Sequence, residues 1–146
     1  MARAPSAAAG GVGHPAPARD RLNAPLLLFG LLAAPAAAAL ESMIGATVSG
    51  RACFPTDHPL PSPRFDLQPI VWTVHLAALA VAVAAVLASV VAWRRTRHER
   101  AGGHETMIEV GEGRTRFLAI WALLISLGFL ALIVFDTPGL IVLQPC

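Results

Sequence analysis

The stretch that most constrains this chain is Pro69 to Trp93, PIVWTVHLAALAVAVAAVLASVVAW. Its 25 residues include no Asp, Glu, Lys or Arg, and the one ionisable side chain is His75. At about 1.5 Å of rise per residue, a helix of that length exceeds the ~30 Å hydrocarbon core of a bilayer. The segment reads as a transmembrane helix, and the rest of the chain sorts itself around it.

Composition agrees. The chain has 146 residues, 55% of them hydrophobic and 14% charged, with a mean hydropathy of +0.63. A soluble domain of this size could not hide that much apolar surface, whereas a bilayer accepts it. One domain is the default at this length. The net charge of +2 is too small to argue for a nucleic-acid partner. All 11 of the Lys+Arg residues are Arg, and Tyr is absent. With so much Ala, Gly and Pro, that bias points to a GC-rich bacterial genome.

Residues 1–24 are rich in Ala, Pro and Gly and nearly free of large apolar side chains. Such a segment cannot bury enough surface to offset its ordering entropy, so a disordered tail is expected. Pro25 to about Val48 is apolar and long enough to span, with Pro35 expected to kink it and Glu41 set inside the run. A secretory signal peptide is the rival reading, with Arg19 and Arg21 before the apolar core and APAAAA as the cleavage region. Against it, apolar character resumes from Met43 to Val48, which favours an uncleaved helix.

Residues 49–68 read as a loop, because Pro55, Pro59, Pro61 and Pro63 exclude a regular helix or sheet ladder. Residues 94–116 are polar, with six Arg and four Glu, and MIEVGEGRTRF could form a short hairpin. A last apolar run extends from Phe117 to Phe135, and Asp136 and Pro138 mark its expected end. Beyond Pro138 the chain should lie along the membrane interface. The expected fold is all-α, with three transmembrane helices at about 25–48, 69–93 and 117–137. Residues 25–146 form one transmembrane domain.

Arg is distributed as three in the tail, two in the first loop, six in the second and none after the last helix. The positive-inside rule then places the N-terminus and residues 94–116 in the cytoplasm of a bacterial inner membrane. Residues 49–68 and the C-terminus fall on the periplasmic side. Arg94, Arg95, Arg97 and Arg100 are expected to contact anionic lipid head groups. Cys53 and Cys146 lie on the same outer side, where disulfides persist, so a bridge between them is a candidate. Two unpaired thiols, or a copper site of thiols with His58, are the alternatives. No metal-site cysteine spacing is present, and no metal or cofactor is expected.

Ionisable residues inside spanning helices are costly and usually face other helices. Glu41, His75 and Asp136 all fall in the outer half, Glu41 and His75 at similar depth. On the first helix Ala34, Ala38, Glu41 and Gly45 share a face. On the second His75, Ala78, Ala82, Ala85 and Ser89 do, while Leu79, Val83, Val86 and Val90 make a bulkier one. Small faces let helix backbones approach. A Glu41–His75 pair could exchange protons or bind a ligand, but a structural hydrogen bond is the favoured reading. A single intramembrane His supports at most one axial haem position, and no CxxCH motif is present. Asp136, before Thr137-Pro138-Gly139, reads as a helix-end turn residue.

Five short elements together carry a resemblance: RACFPTD, HLAALAVAVAA, WRR, GRTRFLA and the terminal QPC. Over about residues 25–146 the chain resembles small three-helix membrane proteins encoded beside haem–copper cytochrome oxidase genes in proteobacteria. The resemblance implies a link to respiration and assigns no catalytic residue. The expected function is that of a non-enzymatic accessory or assembly component of a respiratory membrane complex. Its expected partners are the lipid bilayer and that larger complex. A small self-assembling transport or metal-handling protein is the alternative.

Overall fold

The computed structural model describes residues 24–55, 58–97 and 114–142. These form three helices: α1, Ala24–Cys53; α2, Gln68–Thr96; and α3, Arg114–Val142. All three are long and apolar enough to cross a membrane, and no strand occurs among the described residues. This is a helical membrane protein. At 30 residues α1 is about 45 Å long, so it overshoots the ~30 Å hydrocarbon core and must tilt or project from it.

Each helix outruns its expected bounds, for local reasons. α1 continues through Ser49 and Gly50 to Cys53, so the first loop begins at Phe54. The stop is set by Pro55, which disfavours helical backbone in the residue before it. Inside α1, Pro35 is accommodated without ending the helix. α3 likewise runs past Asp136 and Pro138 to Val142, and does not end there as expected. In lipid a broken helix leaves backbone groups with no water to bond, so continuing past a proline is the cheaper solution. Arg114 to Phe117, assigned above to a hairpin, begin α3, and the remainder of that hairpin lies outside the described residues. So do the N-terminal tail and residues 143–146.

The helices run up, down, up. Residues late in α1 meet residues early in α2: Cys53 clusters with Leu67, while Gly30 lies against Ser89. α2 and α3 are antiparallel in the same way, His75 meeting Thr137 and Ala92 meeting Ala119. α1 and α3 are parallel, since Leu26 and Leu27 pack beside Ala119.

The interior is built almost wholly from small side chains. Ala34 and Ala38 of α1, Ala78, Ala82 and Ala85 of α2 and Ile133 of α3 form the central cluster. Of the alanines in the APAAAA stretch, Ala34 and Ala38 are buried in this cluster and Ala37 packs against it, while Ala36 and Ala39 are exposed. Lipid tails are as apolar as leucine, so no hydrophobic gain comes from burying large side chains between spanning helices. Close approach and van der Waals contact drive association instead. The large apolar residues accordingly point outward, among them Leu28, Leu76, Leu87, Leu124 and Phe135.

The first connection is tied down through its backbone. Carbonyls at a helix C-terminus lack intrahelical partners. Those of Ala52 and Cys53 accept the Arg64 and Leu60 N–H groups at 3.2 Å and 2.9 Å. Asp66 Oδ1 accepts the Gln68 N–H at 3.1 Å, and Pro69 sits in the first turn of α2, where its missing donor costs nothing.

Candidate functional site

The stripe of small residues on each helix continues outward into a polar side chain. Glu41 follows Ala38 by three positions, His75 precedes Ala78 by three, and Thr137 follows Ile133 by four. Helical spacing of three or four keeps each on the contact face of its own helix. Antiparallel pairing then brings all three to one depth.

His75 is the centre of this junction and is only 1% exposed. Its Nδ1 lies 2.5 Å from Glu41 Oε1, and its Nε2 lies 3.0 Å from Thr137 Oγ1. Where Glu41 is a carboxylate it can only accept, and His75 Nδ1–H is then the donor of this bond. With neutral His75, Nε2 accepts from the Thr137 hydroxyl. With charged His75, Nε2 donates to it. One geometry therefore holds either protonation state. Trp72, one turn before His75, presents an edge-on ring at 5.9 Å.

The sequence-predicted residues divide at this point. Glu41 and His75 are joined directly. Asp136 is not the third member: it is exposed, and its neighbour Thr137 takes that place. Thr137 went unnoticed in the sequence because it precedes a proline taken as a helix stop. The usable signal was the shared face of Ala119, Ala122, Ser126, Ile133 and Thr137 on α3.

Glu41 also lines a cavity of about 390 Å3 between the C-terminal halves of α1 and α3 and the N-terminal part of α2. Asp136, Ser42, Gln68 and Val71 help line it. Glu41 Oε2 is shielded from solvent and has no hydrogen-bond partner among the described residues.

A second polar contact lies nearer the opposite end of the bundle. Ser126 Oγ is 3.4 Å from Ser89 Oγ, which donates to the Ala85 carbonyl at 2.9 Å. A Cβ on Gly30 would stand 2.5 Å from that same Ser89 Oγ. Glycine is therefore what lets α1 approach α2 here.

Cys53 is buried at the C-terminal end of α1 and is disulfide-bonded. Cys146, the chain's other cysteine, lies outside the described residues. Arg94, Arg95 and Arg97 are exposed at the C-terminal end of α2, and Arg100 lies outside the described residues. No group of three or more His, Cys, Asp or Glu arranged to hold a metal ion occurs among the described residues.

No protein-family model, curated protein or solved structure matches this chain.

Proposed function

We propose that this chain is a non-enzymatic accessory or assembly component of a larger bacterial inner-membrane complex of the respiratory, cytochrome-oxidase type. Its N-terminus would be cytoplasmic and its C-terminus periplasmic. The observation that carries the reading is how little of each helix the bundle uses. Of the most apolar 18-residue window in each span, 22%, 28% and 22% is buried for α1, α2 and α3, so most of each helix surface is left for lipid and for partner helices. Buried polar side chains such as His75, Ser89 and Ser126 are occupied in helix-to-helix or within-helix hydrogen bonds. The resemblance to proteins encoded beside oxidase genes supplies the identity of the complex.

A second reading, a small self-assembling transport or metal-handling protein, is favoured by a cavity that both Glu41 and Asp136 line. Three helices enclose little pore, so that reading requires a homo-oligomer. One experiment separates the two. A tagged copy is purified in mild detergent from its native membrane, and its visible spectrum is recorded and its co-purifying proteins identified. Oxidase subunits with haem bands are expected. A colourless homo-oligomer would overturn the accessory reading in favour of transport.

A further inference from the structure

The tryptophans mark where the bilayer begins and ends. Trp72 lies near the start of α2 and Trp93 near its end, 21 residues later, or about 31 Å along a helix. That distance matches the ~30 Å hydrocarbon core, at whose two boundaries indole rings concentrate. Trp121, early in α3, is exposed at the same end as Trp93, and Phe65 is exposed just ahead of α2. Arg94 and Arg95 then fall just beyond one boundary, where charged side chains reach water. Arg51, exposed and ten residues past Glu41 on α1, falls beyond the other.

Asp136 lies between these boundaries. Its neighbour Thr137 bonds His75, which stands three residues, about 4.5 Å, inside Trp72. Asp136 is exposed, and no ion pair with it occurs among the described residues. A carboxylate at this depth is not tolerated against acyl chains; intramembrane charges face other helices or water-filled cavities.

The cavity of about 390 Å3 is what Asp136 lines. Along α1 its wall extends from Glu41 to Ser49, about 12 Å, so it reaches from the depth of the Glu41–His75 bond to beyond Trp72. Ser49 and Gln68 make its far end polar, and Ser42 stands beside Glu41. Gly45 keeps the middle of the wall clear, since a Cβ there would meet nothing within 4 Å. Several waters of about 30 Å3 each fit such a space, and its carboxylate, hydroxyl and amide groups supply the two to four polar partners that each water needs.

We infer that this cavity is a water-filled crevice, open on the side of the membrane at which α1 ends, that hydrates Asp136 and carries solvent down to the Glu41–His75 junction. His75 is buried and Glu41 Oε2 is shielded, so the crevice stops at the junction and is not a channel. The inference is independent of which complex the chain serves.

The test probes single cysteines in the full, unreduced chain in phospholipid nanodiscs. The probes are two water-borne methanethiosulfonates, one carrying a trimethylammonium and the other a sulfonate. Ser42→Cys and Val74→Cys put a thiol on the cavity wall. Leu40→Cys and Leu76→Cys put one at nearly the same depth on exposed, lipid-facing positions. Unsubstituted protein, with Cys53 disulfide-bonded, is the blank. Only the thiolate reacts, and it forms in water, so the cavity thiols should react at least about tenfold faster than the lipid-facing pair. At both cavity positions the cationic probe should outpace the anionic one severalfold, and Asp136→Asn should remove that lead. Cavity thiols as slow as the lipid-facing pair would show that acyl chains fill the space, and would overturn the proposal. So would a charge preference that is absent or that Asp136→Asn leaves unmoved.

Discussion

His75 and Glu41, 34 positions apart in the chain, share a 2.5 Å hydrogen bond between Nδ1 and Oε1 inside the helix bundle. Through Nε2 the same imidazole reaches Thr137, so one side chain ties α2 to both of its neighbours. Polar contacts of this kind specify which faces meet, a task that alanine stripes do weakly because one small face resembles another.

Substituting the pair should therefore affect assembly of the bundle more than its insertion. Insertion follows the hydropathy of the spans, which Glu41→Gln and His75→Ala leave nearly unchanged. His75→Ala removes both bonds and strands a buried carboxylate, so it should lower resistance to unfolding by about 1–3 kcal/mol. Thr137→Val, which removes one neutral bond, should cost roughly 0.6 kcal/mol, the average for interhelical hydrogen bonds in membranes. Denaturant titration in detergent of the single variants and of the double variant checks this, with coupling expected between positions 41 and 75. Respiration of the host should persist wherever the protein does. Its loss with the protein still present would show that the pair performs chemistry.

Gly30 and Gly128 give a matched contrast. A Cβ at Gly30 would stand 2.5 Å from Ser89 Oγ, whereas one at Gly128 would meet nothing within 4 Å. Gly30→Ala should loosen α1 from α2 at a cost of about 1–3 kcal/mol, the usual range for overpacking. Gly128→Ala should be neutral or slightly stabilising, since alanine is the better helix former. Equal melting temperatures for the two variants would refute close approach at Gly30.

Much of this arrangement is readable from the sequence. Small residues at intervals of three and four mark the contact faces of α1 and α2, and the buried residues are largely those: Ala34, Ala38, His75, Ala78, Ala82, Ala85 and Ser89. Gly45 is the exception, since nothing packs against it. Glu41 and His75 are matched by similar depth together with their places on the small-residue faces, because antiparallel helices of known length fix which residues share a layer. Proline misled the boundaries. In water Pro138 would end a helix, but in lipid the backbone has no better alternative, so α3 continues and carries Thr137 into the junction. The orphaned Oε2 and the cavity depend on rotamers and helix tilt, which periodicity does not encode.

The state of Cys53 makes a direct prediction. It is disulfide-bonded at the C-terminal end of α1, and Cys146 is the other cysteine of the chain. Unreduced protein treated with an alkylating reagent should take up no label, and should take up one label per cysteine after reduction. Labelling of both thiols before reduction, in material exposed to the periplasm, would exclude a Cys53–Cys146 bridge. That bridge further requires both residues to sit in an oxidising compartment.

Sidedness is the last point, and it can be measured independently of the thiols. The up-down-up course of the helices puts the Cys53 end of α1 and the Val142 end of α3 on one side of the membrane, and the Arg94–Arg95 end of α2 on the other. Under the orientation proposed above, which rests on the excess of Arg in residues 94–116, that second side is the cytoplasmic one. A phosphatase reporter fused after Cys146 should then be active, because that enzyme folds only where its own disulfides form. A fluorescent reporter that requires the cytoplasm should be dark at the same position and bright when inserted after Gly103. The opposite pattern would invert the molecule. It would also move the Glu41–His75 junction and its cavity to the cytoplasmic leaflet, and place Cys53 in a reducing compartment. The reporter result and the thiol result must therefore agree.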